Sequence, residues 1–173
     1  MQLAELKTYI KDVPDFPKAG IVFKDISPLL ASAKARNTAT QLLAAPFENN
    51  RVDIVLGIES RGFLFGLPLA NILNAQFVMV RKPGKLPGKL ITKEYALEYG
   101  TDMLELQAMA IKSGDHVLLH DDVLATGGTA AAAIALVEQC GGVVVGASFL
   151  IELSFLNGST NCRDISVHSI LKY

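Results

Sequence analysis

Val117-Leu118-Leu119-His120-Asp121-Asp122-Val123-Leu124-Ala125-Thr126-Gly127-Gly128-Thr129 is the stretch that decides the fold. It opens as an apolar strand, meets two adjacent acids, and passes through a small-residue turn into a helix expected over residues 129–140, built on alanines 130–133 and closed by Gly141-Gly142. Each part has a chemical use. Ala125, Thr126, Gly127, Gly128 and Thr129 put little side chain in the way of backbone N–H groups, and the helix behind them places its positive dipole end at the turn. That suits a terminal phosphate. Asp121 and Asp122 are acceptors for vicinal hydroxyls or for the surroundings of a cation, and they would repel a second phosphate. Together the parts describe a site for a ribose bearing a 5-phosphate; the plainer alternative is a strand-to-helix turn with two solvated acids.

This stretch resembles the 5-phosphoribosyl 1-diphosphate (PRPP) binding motif of the type I phosphoribosyltransferases: hydrophobic strand, two acids, then a Thr/Gly-rich loop. His120 stands where an apolar residue is usual, and we read it as a tolerated strand residue with no catalytic part.

The chain has 173 residues, half of them hydrophobic, with a formal net charge of −1. A single domain of this size buries roughly 70% of its unfolded surface and needs no disulfides. Cys140 and Cys162 have neither CxxC nor metal-type spacing, which fits free thiols in a reducing cytoplasm. The first residues carry no export signal, and no apolar run approaches the ~20 residues that cross a bilayer, so a soluble cytoplasmic protein is expected. Near-zero charge and a pI of about 6.3 argue against bulk binding to nucleic acid. Any anion site must be local.

Leu3, Leu6, Tyr9 and Ile10 lie at helical spacing, so a helix is expected over residues 2–12, ended by Val13-Pro14. Residues 15–30, with Pro17, Gly20 and Pro28 flanking a short apolar run, read as an ordered loop or edge strand. This segment is similar to the amino-terminal hood of adenine phosphoribosyltransferases, with Ala19 where that family more often has proline. The resemblance implies that the base stacks on Phe23 and that main-chain groups of Val22, Phe23 and Lys24 read its polar edge. From the residues alone, Val22 and Phe23 are equally ordinary core positions.

A helix is expected over residues 31–45. A buried parallel strand over 52–58 runs into Glu59-Ser60-Arg61-Gly62 and a helix over about 63–73. Ser60, Arg61 and Gly62 then sit at a strand's carboxyl end, where ligands of open α/β sheets bind, and this turn is expected to hold diphosphate. Arg61 reads otherwise as a surface ion-pair partner. In related enzymes the loop carries a non-proline cis peptide, which would fall at Glu59-Ser60.

After a strand at residues 76–80 comes a run of five cations and no acid, residues 81–93, broken by Pro-Gly pairs. It suits a mobile loop closing over a polyanion; a solvated linker or a nucleic-acid patch is the alternative, though the run has no aromatics for stacking. By resemblance Arg81, Lys82 and Lys85 meet the diphosphate, with Arg81 or Lys85 reaching the neighbouring site of a homodimer. The lid is expected to extend to residue 102. Within it Glu98 is the candidate acid/base for the attacking ring nitrogen and Tyr99 its neighbour, or both merely aid closure. Strands are expected over 103–107, 143–153 and 165–173.

Strand and helix alternation gives an α/β fold with a mostly parallel sheet covered on both faces. The resemblance, spanning about residues 15–156 in family order, implies the type I phosphoribosyltransferase fold in one domain, 1–173, with a hood (1–30) and a flexible lid (81–102). It implies transfer of 5-phosphoribosyl from PRPP to adenine, giving AMP and diphosphate, with Arg61, Glu98 and Tyr99 as catalytic candidates. Mg²⁺ is expected as cofactor, held by PRPP and water with no direct protein ligand set. Two other readings stay open: a transferase for another purine, although the lysine that a 6-oxo base commonly requires after a strand has no clear counterpart, and a PRPP-binding regulator without turnover.

Overall fold

The structure is a computed structural model, and it describes residues 1–96, 101–162 and 165–173. Five strands, β3 (Ile54–Ile58), β4 (Gln76–Val80), β7 (His116–Leu124), β8 (Val143–Glu152) and β9 (Val167–Lys172), form one parallel sheet in the order β4-β3-β7-β8-β9. Burial on both faces explains the near-continuous Val, Leu and Ile of β3 and β7.

Alternate residues supply two cores. Ile54, Leu56 and Leu119 face α5 (Gly128–Gln139), packing with Ile134 and Leu136 and with Leu104 and Leu106 of β6 (Thr101–Gln107). Val55 and Leu118 face the other way, onto Leu29 of α2 (Ser27–Ala31), Leu43 of α3 (Ala33–Ala44), and Phe65 and Leu69 of α4 (Gly62–Ile72). Each such side chain taken from water contributes about 1.5–3 kcal/mol.

Three elements differ from the sequence expectation, the smallest being α2, a helix at the end of the segment expected to be loop or edge strand. The first helix, α1 (Leu3–Lys7), stops short, and residues expected to continue it form β1 (Lys11–Pro14), antiparallel to β2 (Val22–Asp25). Leu6 and Ile10 still reach the core, but Val13 opposite Phe23 gains a ladder partner that an isolated helix could not offer. α1 and α2 are packed into the body through Leu6 and Leu29, whereas β1 is exposed along its whole length.

The third difference is in the segment expected to be a loop to residue 102. Residues 81–89 are irregular, but β5 (Leu90–Ala96) pairs antiparallel with β6 in continuous register from Leu90 opposite Gln107 to Ala96 opposite Thr101. Ile91 and Tyr95 pack against the α5-side core, which anchors the arm. The cationic turn thus leaves and returns on ordered strands. The cysteines are free thiols, and among the described residues no helix is long and apolar enough to cross a membrane.

Candidate active site

From β3 the chain goes outward through α4 to β4 on one side, and later returns to place β7 on the other side of β3. Loops after β3 and β7 must diverge there, leaving a crevice at the carboxyl ends of the strands. Its cavity, about 560 Å³, is lined by Phe23, Glu59, Ser60, Arg61, Asp121, Asp122, Val123 and Ala125.

The turn after β7 wraps a smaller cavity of about 60 Å³, lined by Ala125, Thr126, Gly127 and Thr129 among others. Gly127 has φ of +80°, immediately before α5, and it touches a second backbone. A β-carbon there would lie 2.1 Å from the carbonyl oxygen of Gly158, and one on Gly158 would lie 2.0 Å from that of Ala125. The Asn161 side-chain amide donates to the Thr126 carbonyl at 2.7 Å. The segment behind the loop, invisible to motif reading because it follows an unremarkable Asn157-Gly158 turn, therefore sets its curvature. The loop and the amino-terminal turn of α5 thus border one small cavity, at the positive end of the helix dipole.

Asp122 is buried, and its carboxylate pairs with Nε of Arg61 at 2.7 Å across the β3/β7 crevice. Burial pushes its carboxyl up, and Arg61 opposes the shift. Asp121 is raised well above the ordinary carboxylate range by burial and by the charge of Asp122; its Oδ1 accepts the Asp122 N–H at 2.8 Å. Two acids sharing one arginine leave the crevice floor short of positive charge. Gly62 permits this closeness, since a β-carbon there would lie 2.9 Å from Asp121 Oδ1.

Arg61 forms an ion pair, though with the buried Asp122 and not at the surface, and it lines the crevice. Its guanidinium lies 4.8 Å from the Phe23 ring centre, within cation–π range. Phe23 also meets Phe16 edge-on, with centroids 5.2 Å apart. Alternation along β2 sends its neighbours the other way: Val22 and Lys24 line a separate cavity of about 660 Å³ with Phe155 and Tyr173. Val22 is 47% exposed, which excludes a core role. The Lys24 amine pairs with Asp12 at 2.6 Å over the Tyr173 ring. Of β2, Phe23 is the residue that lines the crevice.

The Glu59-Ser60 peptide is cis, as the resemblance implied. Arg81 is held by Glu59 at 3.1 Å and Lys82 by Asp102 at 2.7 Å, while Lys85 is exposed. Asp102 also accepts from the Tyr95 hydroxyl at 3.3 Å, and that hydroxyl accepts from Thr129 at 3.4 Å, linking the β5–β6 arm to the small-residue loop. Glu59, Asp102 and Tyr95 were given no role from the sequence, because the partners that tie them to the site, Arg81 and Lys82 for Glu59, Lys82 for Asp102 and Thr129 for Tyr95, lie 20 or more residues away. Glu98 and Tyr99 lie outside the described residues. His120 is wholly buried; Nδ1–H donates to the Ser148 carbonyl at 2.8 Å, and burial brings its pKa down to about 4.

No three His, Cys, Asp or Glu side chains converge as a metal-ion cluster among the described residues. The electron-rich Asp121–Asp122 pair is nonetheless compatible with a cation that arrives bound to a polyanionic ligand.

Residues 27–157 match the phosphoribosyl transferase domain family. A curated adenine phosphoribosyltransferase of Christiangramia forsetii is 52% identical over 169 residues, covering 98% of this chain and 99% of its own length. The crystal structure of adenine phosphoribosyltransferase from Thermoanaerobacter pseudethanolicus superposes with a TM-score of 0.97 at 48% identity, over 99% of this chain and all of that one. The Saccharomyces cerevisiae enzyme, complexed with adenine and an imino-altritol bisphosphate, does so with a TM-score of 0.92 at 40% identity, over 98% of each chain.

Proposed function

The chain belongs to the adenine phosphoribosyltransferase family, and from that premise we propose how its residues carry out the reaction. The enzyme transfers the 5-phosphoribosyl group of PRPP to adenine, releasing diphosphate and forming AMP in purine salvage. The observation that carries the residue assignment is at the β3/β7 crevice, where the cavity of Arg61, Phe23 and the paired acids and the small cavity of the loop adjoin through Asp121, Val123 and Ala125, which line both.

The N–H groups of residues 125–129 receive the 5-phosphate at the α5 dipole. Asp121 and Asp122 accept from the ribose hydroxyls, and their charge favours the cationic character that grows on the anomeric carbon as its bond to diphosphate breaks. Adenine stacks on Phe23 while the backbone of residues 22–24 reads its edge. Ser60, Arg61 and Gly62 receive the diphosphate beside the cations Arg81, Lys82 and Lys85. Arg61 touches both the stacking ring and an acid, so base, sugar and leaving group are registered against one side chain. The new bond joins adenine N9 to the anomeric carbon, diphosphate leaves with the electron pair of the broken C–O bond, and the N9 proton passes to Glu98, beside Tyr99. Mg²⁺, bound with PRPP, lowers the charge the leaving diphosphate must carry.

A cytoplasmic homodimer is the form we propose. Leu64 and Leu67 of α4 and Met79 of the edge strand β4 are 48%, 51% and 40% exposed, an apolar set at the open end of the sheet next to Arg81. Sedimentation of wild type against a Leu64→Asp/Leu67→Asp variant checks this; a monomeric wild type would refute it.

The deciding experiment offers Mg²⁺ and PRPP with adenine, hypoxanthine, guanine or xanthine in separate reactions. AMP from adenine alone is expected. PRPP binding with no base consumed would instead make the chain a regulator, and turnover of a 6-oxo base would reassign its specificity.

A further inference from the structure

Glu59 is the first residue after β3 and Arg81 the first after β4, and the two strands are in register up to Ile58 opposite Val80. The Glu59 N–H extends that ladder to the Val80 carbonyl at 3.0 Å. Its side chain is only 14% exposed and fully occupied. Oε1 accepts from Arg81 Nη2 at 3.1 Å, Oε2 from Arg81 Nε at 3.3 Å, and Oε2 again from the Lys82 N–H at 2.8 Å. The remaining arm of Arg81 donates to the Lys85 carbonyl at 3.4 Å. Burial pushes the Glu59 carboxyl up, but the Lys82 N–H and Arg81 more than offset this and hold it below the ordinary range.

A carboxylate next to a turn that receives a polyanion is electrostatically adverse, so its placement calls for a geometric reason. The reason lies in what it joins: the Ser60-Arg61-Gly62 turn on one strand and the base of the cationic turn on the next. Among the described residues, the other ties of residues 81–85 to the body are Glu105, which exchanges main-chain bonds with Arg81 (3.0 and 2.7 Å) and accepts from Gly84 N–H at 3.0 Å, and the ion pair of Lys82 with Asp102. Bidentate, charge-assisted contacts fix direction as well as distance.

We infer that Glu59 is a positioning residue for diphosphate: its fork to Arg81 and its bond to the Lys82 amide lock the two diphosphate-facing turns into one register. This rests on the diphosphate assignment above. Glu59 does not itself touch the leaving group; it acts through Arg81 and Lys82.

The test titrates Mg²⁺–diphosphate into the full-length protein by calorimetry and, separately, measures KM for PRPP and for adenine. Glu59→Gln keeps the shape but offers an amide N–H₂ to groups that can only donate. It should weaken diphosphate binding and raise KM for PRPP about tenfold while KM for adenine holds. Arg81→Lys keeps the charge but loses the fork, and should weaken diphosphate binding in the same direction; the double variant should fall short of the sum of the two losses, since both variants remove the fork they share. Arg81→Lys carries the test if Glu59→Gln does not fold. An adenine KM that moves as much as that of PRPP, additive losses, or an Arg81→Lys enzyme like wild type would overturn the proposal. Failure of the wild type to make AMP would bear on the function instead, because the diphosphate titration needs no base.

Discussion

Replacing Gly127 by alanine isolates what the small-residue loop before α5 costs to bend. At φ of +80° any β-carbon is disfavoured by about 1–2 kcal/mol. At this position it would also lie 2.1 Å from the Gly158 carbonyl oxygen, a backbone atom with no rotamer to swing aside. Relief of such overpacking costs about 1–3 kcal/mol, so the total is roughly 2–5 kcal/mol. Gly84 is the internal control. Its φ is +77°, and a β-carbon there would meet nothing within 4 Å, so Gly84→Ala bears only the conformational cost. Urea unfolding reads the stability loss, with Tm falling roughly 2–4 °C per kcal/mol for a chain of this length. Calorimetric titration with AMP reads the rest: if the loop yields instead of the body, the penalty appears as weaker binding, tenfold for about 1.4 kcal/mol. The summed losses for Gly127→Ala should exceed those for Gly84→Ala by about 1–3 kcal/mol. Two variants alike in both stability and AMP affinity would refute the reasoning, because the loop would not need the contact with Gly158.

Three further outcomes follow from the same structure. Glu98→Gln should lower kcat by ~10²–10⁴ while AMP still binds; unchanged turnover would leave the N9 proton to solvent. Chelation of Mg²⁺ should stop AMP formation yet leave AMP binding intact, since a single phosphate in the α5 loop has no diphosphate to neutralise; persistent turnover in chelator would remove the metal from the reaction. His120 titrates near 6.5 unfolded and about 4 when buried, so between those values the unfolded chain binds more protons and stability rises with pH. The stabilisation is complete above 6.5 and lost as pH falls to about 4, up to about 3 kcal/mol. His120→Gln should flatten that slope, and an equal slope in both proteins would refute it.

Much of the site was legible because its chemistry is local. The turn after β7 needs small residues, a positive-φ position and a helix start within a few residues of each other, and all of these stand in 125–129. The strands were readable for a similar reason: β3 is buried and apolar along its whole length, and β7 opens on the buried apolar run Val117-Leu118-Leu119 before its acids. Local reading failed where partners are remote. Nothing near Lys11 announces that residues 11–14 pair with 22–25, nor does the cationic run reveal that residue 90 begins a strand anchored by Ile91 and Tyr95 on the α5-side core.

The sequence by itself determined the parallel α/β class, the small-residue loop before α5, the acid pair and the cationic turn, because each is written in contiguous residue types whose backbone or charge preferences act over a few positions. Tertiary structure alone decided that Arg61 meets Asp122 and Phe23, that Gly158 backs the loop, and that Glu59 holds Arg81 and Lys82. Those contacts join residues brought together by strand order. Hydrogen bonds and ion pairs depend on distances of a few ångströms that no local preference specifies.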